Sequence, residues 1–560
     1  MSSKMKERSI LINSTTDKLA LSSRQCCRLS YKPRRVSSKG AVLVLIWIVL
    51  VNSGTGSPQT NQRTLVSIIV DSSNGTLTAL QCIKYALPIA AWLLTAIISG
   101  WIADTKLGNY KTVKLGLIVL FLAAILDCIL TLTQVNQSTA SSWYPTVETL
   151  PICLKYIGNA IVIVSSIQLG LDQMPDASSA NITSFIAWFV CSAQAGILVY
   201  QVGGNFTQNY CPLHHETYVK PTISLLSVLC MAIALCFDFL LSPKWITKEP
   251  PSSRCFTLIY QVLRFATKHK APLNRSSLTY WEEDIPSRLD LGKSRYGGPF
   301  TTEQVEDVKT TLKMLIVSIP MSIIVVSYFL SNYIIPYIYL QITVSDYSNN
   351  SLNLTTCART SLKETVTSLS WWMILSTLVH EIVVYPFLVK WIPSILKRIV
   401  IGSLLTLLLN IIYLVISAVQ VASGNKSIFT GIDIFWIELL HSIISAQIVL
   451  LLYTAMLEFV CAQTPHNLKG FVIGYTWCTY SLASILAAVT FSILVANCTD
   501  KYCTVIFCSI VTGMSLIGLI LMCLLAYWYK QRVRDSDETQ TPYTWVEGVY
   551  RKYFPESSST

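Results

Sequence analysis

Glu381 follows His380 in the run STLVHEIVVYP, and Glu438 stands three residues before His441 in WIELLHS. All four fall within long apolar stretches. A charge at bilayer depth costs about 2.5–3.5 kcal/mol on insertion scales, so such groups face an interior, pair, and titrate with their neighbours. That is the chemistry of proton uptake and gating. Glu381, His380, Glu438 and His441 are therefore the candidates for it. The plainer alternative is a structural pair, or for Glu438 and His441 contact with interfacial water. Lys84, Asp127 and Lys155 are further ionisable residues in apolar runs.

A second constellation is GWIADTKLGNYKT, Gly100 to Thr112. Gly100 and Gly108 permit close backbone approach. Asp104 stands beside Lys106, Lys111 and Lys114 where an apolar run ends. A carboxylate there can accept from a neighbouring helix N-terminus and pair with a base, which would latch a gate. A solvated turn is the alternative.

The elements that must position these residues are membrane helices. Of 560 residues, 52% are hydrophobic and only 13% charged, about half the share of an ordinary soluble domain. That excludes disorder and argues against a soluble enzyme. Spans of about 20 apolar residues fall near 41–59, 79–104, 111–134, 149–170, 183–203, 221–243, 310–341, 369–389, 398–422, 430–460, 469–495 and 503–529. Residues 1–40 lack the apolar core of a signal peptide. They carry ten Lys and Arg, residues 244–308 carry ten more, and Lys530, Arg532, Arg534, Arg551 and Lys552 follow the last span. All lie on one side of a twelve-span chain, which the positive-inside rule makes cytoplasmic. The net charge of +12 is thus a topology signal, and no nucleic-acid partner is expected. Glycosylation sequons agree with this topology. Asn74, Asn136, Asn205, Asn349, Asn353, Asn425 and Asn497 place at least one in each outer loop, against Asn13, Asn181 and Asn274 inside. The expected organisation is a tail (1–40), a six-helix bundle (41–243), a central segment (244–309), a second six-helix bundle (310–529) and a tail (530–560). Both termini are cytoplasmic in this arrangement.

Five stretches, in order, resemble the proton-coupled oligopeptide transporters, particularly their peptide/histidine branch. They are GWIADTKLGNYKT, LGLDQM with TSFIAWFVCSAQAGIL, SRLDLGKSRYGGPFTTEQVEDVK, EIVVYPFLVKW with LKRIVIG, and LEFVCAQTPHNLKG. The resemblance reaches from about residue 100 to about 480. It implies an all-α major facilitator fold and proton-linked import of small peptides or amino acids such as histidine by alternating access. The coupling ion would be the proton, with no other cofactor or metal. It makes Gln194, Tyr328 and Trp188 candidates for the substrate cavity and Glu458 a structural acid.

The departures concern the chemistry. The family's first span usually carries Glu-x-x-Glu-Arg; here it reads LIWIVLVNSG. The fourth-span Lys position holds Ile163, the tenth-span Glu position Val449, and two fifth-span polar positions Ala187 and Val190. A facilitator without a proton cycle, or a non-transporting scaffold for cytosolic partners, would fit that loss. No nucleotide loop, HExxH or paired CxxC suggests an enzyme. The tail run ERSILI, with Leu11 and Ile12, has the acidic dileucine form that sorting adaptors read; endosome or lysosome then competes with plasma membrane. Cys26 and Cys27 are either palmitoylated or plain thiols, and Cys498 and Cys503 either pair or do not.

Overall fold

A computed structural model describes residues 38–56, 79–136, 147, 149–174, 179–210, 215–248, 251, 255–268, 287–294, 297–346, 368–388, 392–422, 431–465, 468–497 and 502–529. The described chain is almost entirely helical. The first half comprises α1 (Lys39–Thr55), α2 (Ala79–Ile102), α3 (Asn109–Asn136), α4 (Thr149–Asp172), α5 (Ser179–Tyr210) and α6 (His215–Trp245). A short amphipathic helix, α7 (Cys255–Lys268), lies between the halves. The second half comprises α8 (Thr302–Asp346), α9 (from Leu369 to Leu388), α10 (Ile395–Ala422), α11 (from Gly431 to Gln463), α12 (Lys469–Asn497) and α13 (Tyr502–Trp528). Ten of these are long and apolar enough to cross a membrane. The other two spans are α1, apolar but 17 residues long, and α9, which carries His380 and Glu381 within it.

Each half packs within itself, α1 against α4, α5 and α6, and α8 against α12 and α13. The halves meet chiefly through α2 against α12 and α5 against α9. The second helix of one half thus meets the fifth of the other, in both directions, as a two-fold relation between six-helix units requires. Burial follows the same symmetry. Only 33–39% of the apolar windows of α3, α6, α10 and α13 is buried, against 61–72% for α4, α8, α11 and α12, with α2 at 39% and α5 at 44%. The third and sixth helix of each half, which take no main part in the contact between the halves, present their exposed apolar side chains outward. Side chains such as Leu225, Phe239 and Leu408 form that outer surface, where apolar exposure carries no penalty.

Local sequence explains several boundaries. Gly56 sits at φ +69°, ends α1 and rests against the Tyr200 ring. Gly108 sits at φ +79° and ends the π turn Ala103–Leu107 that extends α2. That left-handed conformation favours glycine. α8 begins eight residues earlier than hydropathy suggests because Thr301 and Gln304 form a capping box, Oγ1 accepting from Gln304 N at 3.2 Å and Oε1 from Thr301 N at 3.1 Å.

The segment before α8 is also ordered by its sequence. Asp290 lies 2.6 Å from Lys293 and also pairs with Lys309, while Glu306 contacts both lysines. Ser287 Oγ donates to Asp290 at 2.6 Å. Burial alone would raise the Asp290 pKa. The bonds from Lys293, Lys309 and Ser287 outweigh it and hold the carboxyl well below its ordinary range. Burial likewise opposes the Lys293 charge, and the bonds to Asp290 and Glu306 overcome it and raise that ammonium. Gly298 packs so closely on Gly292 that an added Cβ would lie 2.2 Å from its carbonyl oxygen. Phe300 meets Phe265 of α7 edge-on at 6.0 Å.

Candidate transport site

The bundle has two ends. At the near end α1 begins and α13 finishes; the other is the far end. At the near end Asp104 accepts from the backbone N–H groups of Gly470 at 3.2 Å and Phe471 at 2.8 Å. These are the first free donors of α12, so the carboxylate caps a helix N-terminus in the other half. The helices come close enough because both contacts are glycines. A Cβ on Gly100 would lie 2.2 Å from the Gly470 oxygen, and one on Gly474 would lie 2.4 Å from the Ala96 oxygen. No lysine or arginine among the described residues reaches Asp104. Lys106 stands over the Trp101 ring at 5.4 Å, and Lys114 pairs with Asp238 at 3.4 Å. The base foreseen beside Asp104 is thus absent from the contact, because those lysines follow the turn away from α12. Lys111 is exposed.

Two further bridges join the halves at this end. Glu458 of α11 takes a bond from Arg398 of α10 at 2.8 Å and from Thr183 of α5 at 2.7 Å. Glu381 lies in the π turn of α9 and accepts from Ser184 of α5 at 2.8 Å, with His380 Nδ1 at 3.5 Å. At the far end Ser368, the N-cap of α9, and Ser370 of α9 donate to Gln201 at 2.7 Å and Gln194 at 3.0 Å, both on α5.

Between the ends lies a central cavity of about 170 Å³, lined from both halves. Ile163, Val190, Gln194 and Val449 all line it. Four positions at which the resemblance leads one to expect polar or ionisable groups are thus on its wall, and three are aliphatic. Tyr328 lines it too. Trp188 does not: it is half-buried, and its neighbour Phe189 takes the wall position instead. Aromatic residues supply much of the rest, with Trp477 edge-on to Trp92 at 5.9 Å and Tyr453 4.4 Å from Tyr480 between ring centres. Asn159 spans the floor, accepting from Trp92 Nε1 at 3.4 Å and donating to Thr55 Oγ1 at 3.3 Å.

The remaining ionisable candidates whose side chains are described lie off the cavity. His441 is buried within the second half, where Tyr413 of α10, Asn332 of α8 at 3.1 Å and Ser445 at 3.3 Å hold its ring nitrogens. Glu438 is half-buried one turn away and is not brought to that imidazole. Asp127 pairs with Lys155 at 2.7 Å and accepts from Ser224 at 2.9 Å, a structural tie among α3, α4 and α6. Lys84 falls on α2, its side chain outside the described residues. So do the side chains of Asn136, Asn205 and Asn497, the whole of Asn74, Asn349, Asn353 and Asn425, and the signals at Leu11, Ile12, Cys26 and Cys27.

Sequence inspection does not single out Arg398, Thr183 or Ser184. The signal available is LKR at the start of an apolar span, where a buried base needs an acid. Asn109 and Asp172, 2.6 Å apart, similarly join two recognisable motifs, LGNYKT and LGLDQM.

Two six-helix halves closing on a shared cavity, latched through glycines and a helix cap, define a membrane transporter of the major facilitator type. A model of the POT family matches residues 110–505, and the chain belongs to that family. It is 21% identical to solute carrier family 15 member 3 of Mus musculus over 519 residues, covering 83% of this chain and 84% of the mouse protein. The Rattus norvegicus counterpart is 21% identical over 533 residues, covering 82% of this chain and 86% of that one. Among solved structures, the POT family transporter PepTSo superposes with a TM-score of 0.58 at 13% identity, over 87% of this chain and 98% of its own. An auto-inhibited POT family peptide transporter gives 0.58 at 14%, over 89% and 99%. The proton:xylose symporter XylE gives 0.51 at 13%, over 87% and 95%. These likenesses show the fold.

Proposed function

We propose that this multi-pass membrane protein imports small peptides or amino acids by alternating access, with protons as the coupling ion. The observation that carries the reading is the central cavity with bridges between the halves on either side of it. Rocking of the halves would break one set and expose the cavity to that side. The near end is the cytoplasmic one in this reading, because the basic tails and central segment adjoin it. Glu381 is the proposed proton-linked acid. Protonation removes the charge that draws the Ser184 hydroxyl, and so loosens α5 from α9. The compartment follows from the tail: adaptors that read Leu11 and Ile12 would carry the protein to endosomes or lysosomes.

The test is uptake of labelled dipeptides and histidine in cells, with Leu11→Ala and Ile12→Ala holding the protein at the surface. Uptake at outside pH 5.5 should exceed that at 7.5, and Glu381→Gln should remove most of the difference. Uptake equal at both pH values in the parent would remove the proton from the mechanism. A facilitator of another solute is the second reading, and the aliphatic Ile163 and Val449 favour it.

A further inference from the structure

The cavity wall specifies more than that something small passes. Among the described residues lining it there is no Asp, Glu, Lys, Arg or His. Its surface is aliphatic and aromatic, broken by a few amides and hydroxyls. A linear peptide or free amino acid carries an ammonium and a carboxylate. Each would leave water for a wall whose described residues offer no opposite charge, and an ion taken from water without a partner is disfavoured. The acids and bases nearest in sequence logic are engaged elsewhere: Glu381 with Ser184, Glu458 with Arg398 and Thr183, Asp127 with Lys155.

What the wall does offer is hydrogen-bond donors. The indole Nε1 of Trp477 is buried, has no hydrogen-bond partner, and belongs to a ring on the cavity wall. A buried donor left unmade costs about 1–3 kcal/mol, so a ligand acceptor there is rewarded. Gln194 takes the Ser370 hydrogen through Oε1, which leaves its amide nitrogen to donate. The flanking rings of Trp92 and Tyr480 supply flat apolar contact.

We propose that this cavity prefers an uncharged cargo, an apolar molecule that presents an amide carbonyl, such as a cyclic or end-blocked dipeptide, and takes zwitterionic peptides and amino acids less well. This rests on the transporter reading above and narrows its substrate class. The carbonyl accepts from Trp477 Nε1, and the apolar side chains lie on the aromatic wall.

The experiment uses the full-length protein in proteoliposomes, with protein-free vesicles to subtract passive entry. The probes are tritiated cyclo(Leu-Phe) and linear Leu-Phe, which share side chains and differ in terminal charges. Saturable uptake and binding of the cyclic probe should exceed those of the linear one at least tenfold. Trp477→Phe keeps a ring and loses the donor. It should weaken cyclic-probe binding on the order of five-fold, one net hydrogen bond of about 1 kcal/mol, with the melting temperature checked alongside. Linear uptake equal to or above cyclic uptake would overturn the inference and keep the transporter. Cyclic binding without uptake would support the inference and remove the transporter reading. Neither binding nor uptake by folded protein would remove both.

Discussion

At the residue scale, the strongest constraint is a charge that cannot leave its partner. Arg398 and Glu458 are both buried, at 9% and 6% exposure. Removing one partner of such a pair costs about 3–5 kcal/mol, because the other stays buried and uncompensated. Glu458→Gln should therefore lower the melting temperature of the detergent-purified protein sharply and reduce surface expression. Arg398→Met combined with Glu458→Gln should recover much of that loss; a double variant worse than the single would show that the pair is not the source. The LEF acid was legible as structural from its motif, but its partner was not. Arg398 lies sixty residues away, and only packing of α10 on α11 brings it close. Tyr328 and Gln194, which the resemblance made cavity candidates, both line the described cavity. Trp188 failed by one residue, a rotation of about 100° on a helix.

At the element scale, the contact between α2 and α12 is made by small residues. The 2.4 Å that would separate a Gly474 Cβ from the Ala96 oxygen is backbone against side chain, so the helices themselves must part. Overpacking of this kind costs about 1–3 kcal/mol. Gly474→Ala should shift the balance away from a closed near end by about tenfold for each 1.4 kcal/mol. Spin labels on the near ends of α2 and α12 would read it as a longer distance; an unchanged distance distribution would show that the glycine contact does not set the closed state. Gly100 of GWIADTKLG was legible as a close-approach position, whereas Gly470 and Gly474 were not, and Gly108 serves instead as the positive-φ end of a π turn. Nor were the three π turns, at Ala103–Leu107, His380–Val384 and Val449–Tyr453. Each falls inside a span whose hydropathy is that of any helix, so composition carries no mark of it. The capping box Thr301–Gln304 was readable, and hydropathy alone placed the start of α8 too late.

At the scale of the whole molecule, two acidic centres stand at opposite ends of a pH argument. The Asp290 cluster lies outside the spans, between α7 and α8. Its carboxyl is held below the ordinary range, so the stability it contributes is fully present above the unfolded value of 3.8. That stability is lost only as pH falls through the lower folded value. Lys293, raised above 10.5, stays protonated until well beyond that pH. Neither group changes charge between pH 5.5 and 7.5. Asp290→Asn should therefore lower the melting temperature and the amount of protein at the surface, while uptake per molecule keeps the same ratio between the two pH values. Glu381→Gln should do the reverse, leaving expression near the parent and flattening the ratio. The two variants separate a clamp that holds the halves' connection from the latch proposed to answer to protons. A pH ratio altered by Asp290→Asn would mean that the loop before α8 is part of the gate, and the near-end bridges from α5 would no longer account for coupling alone.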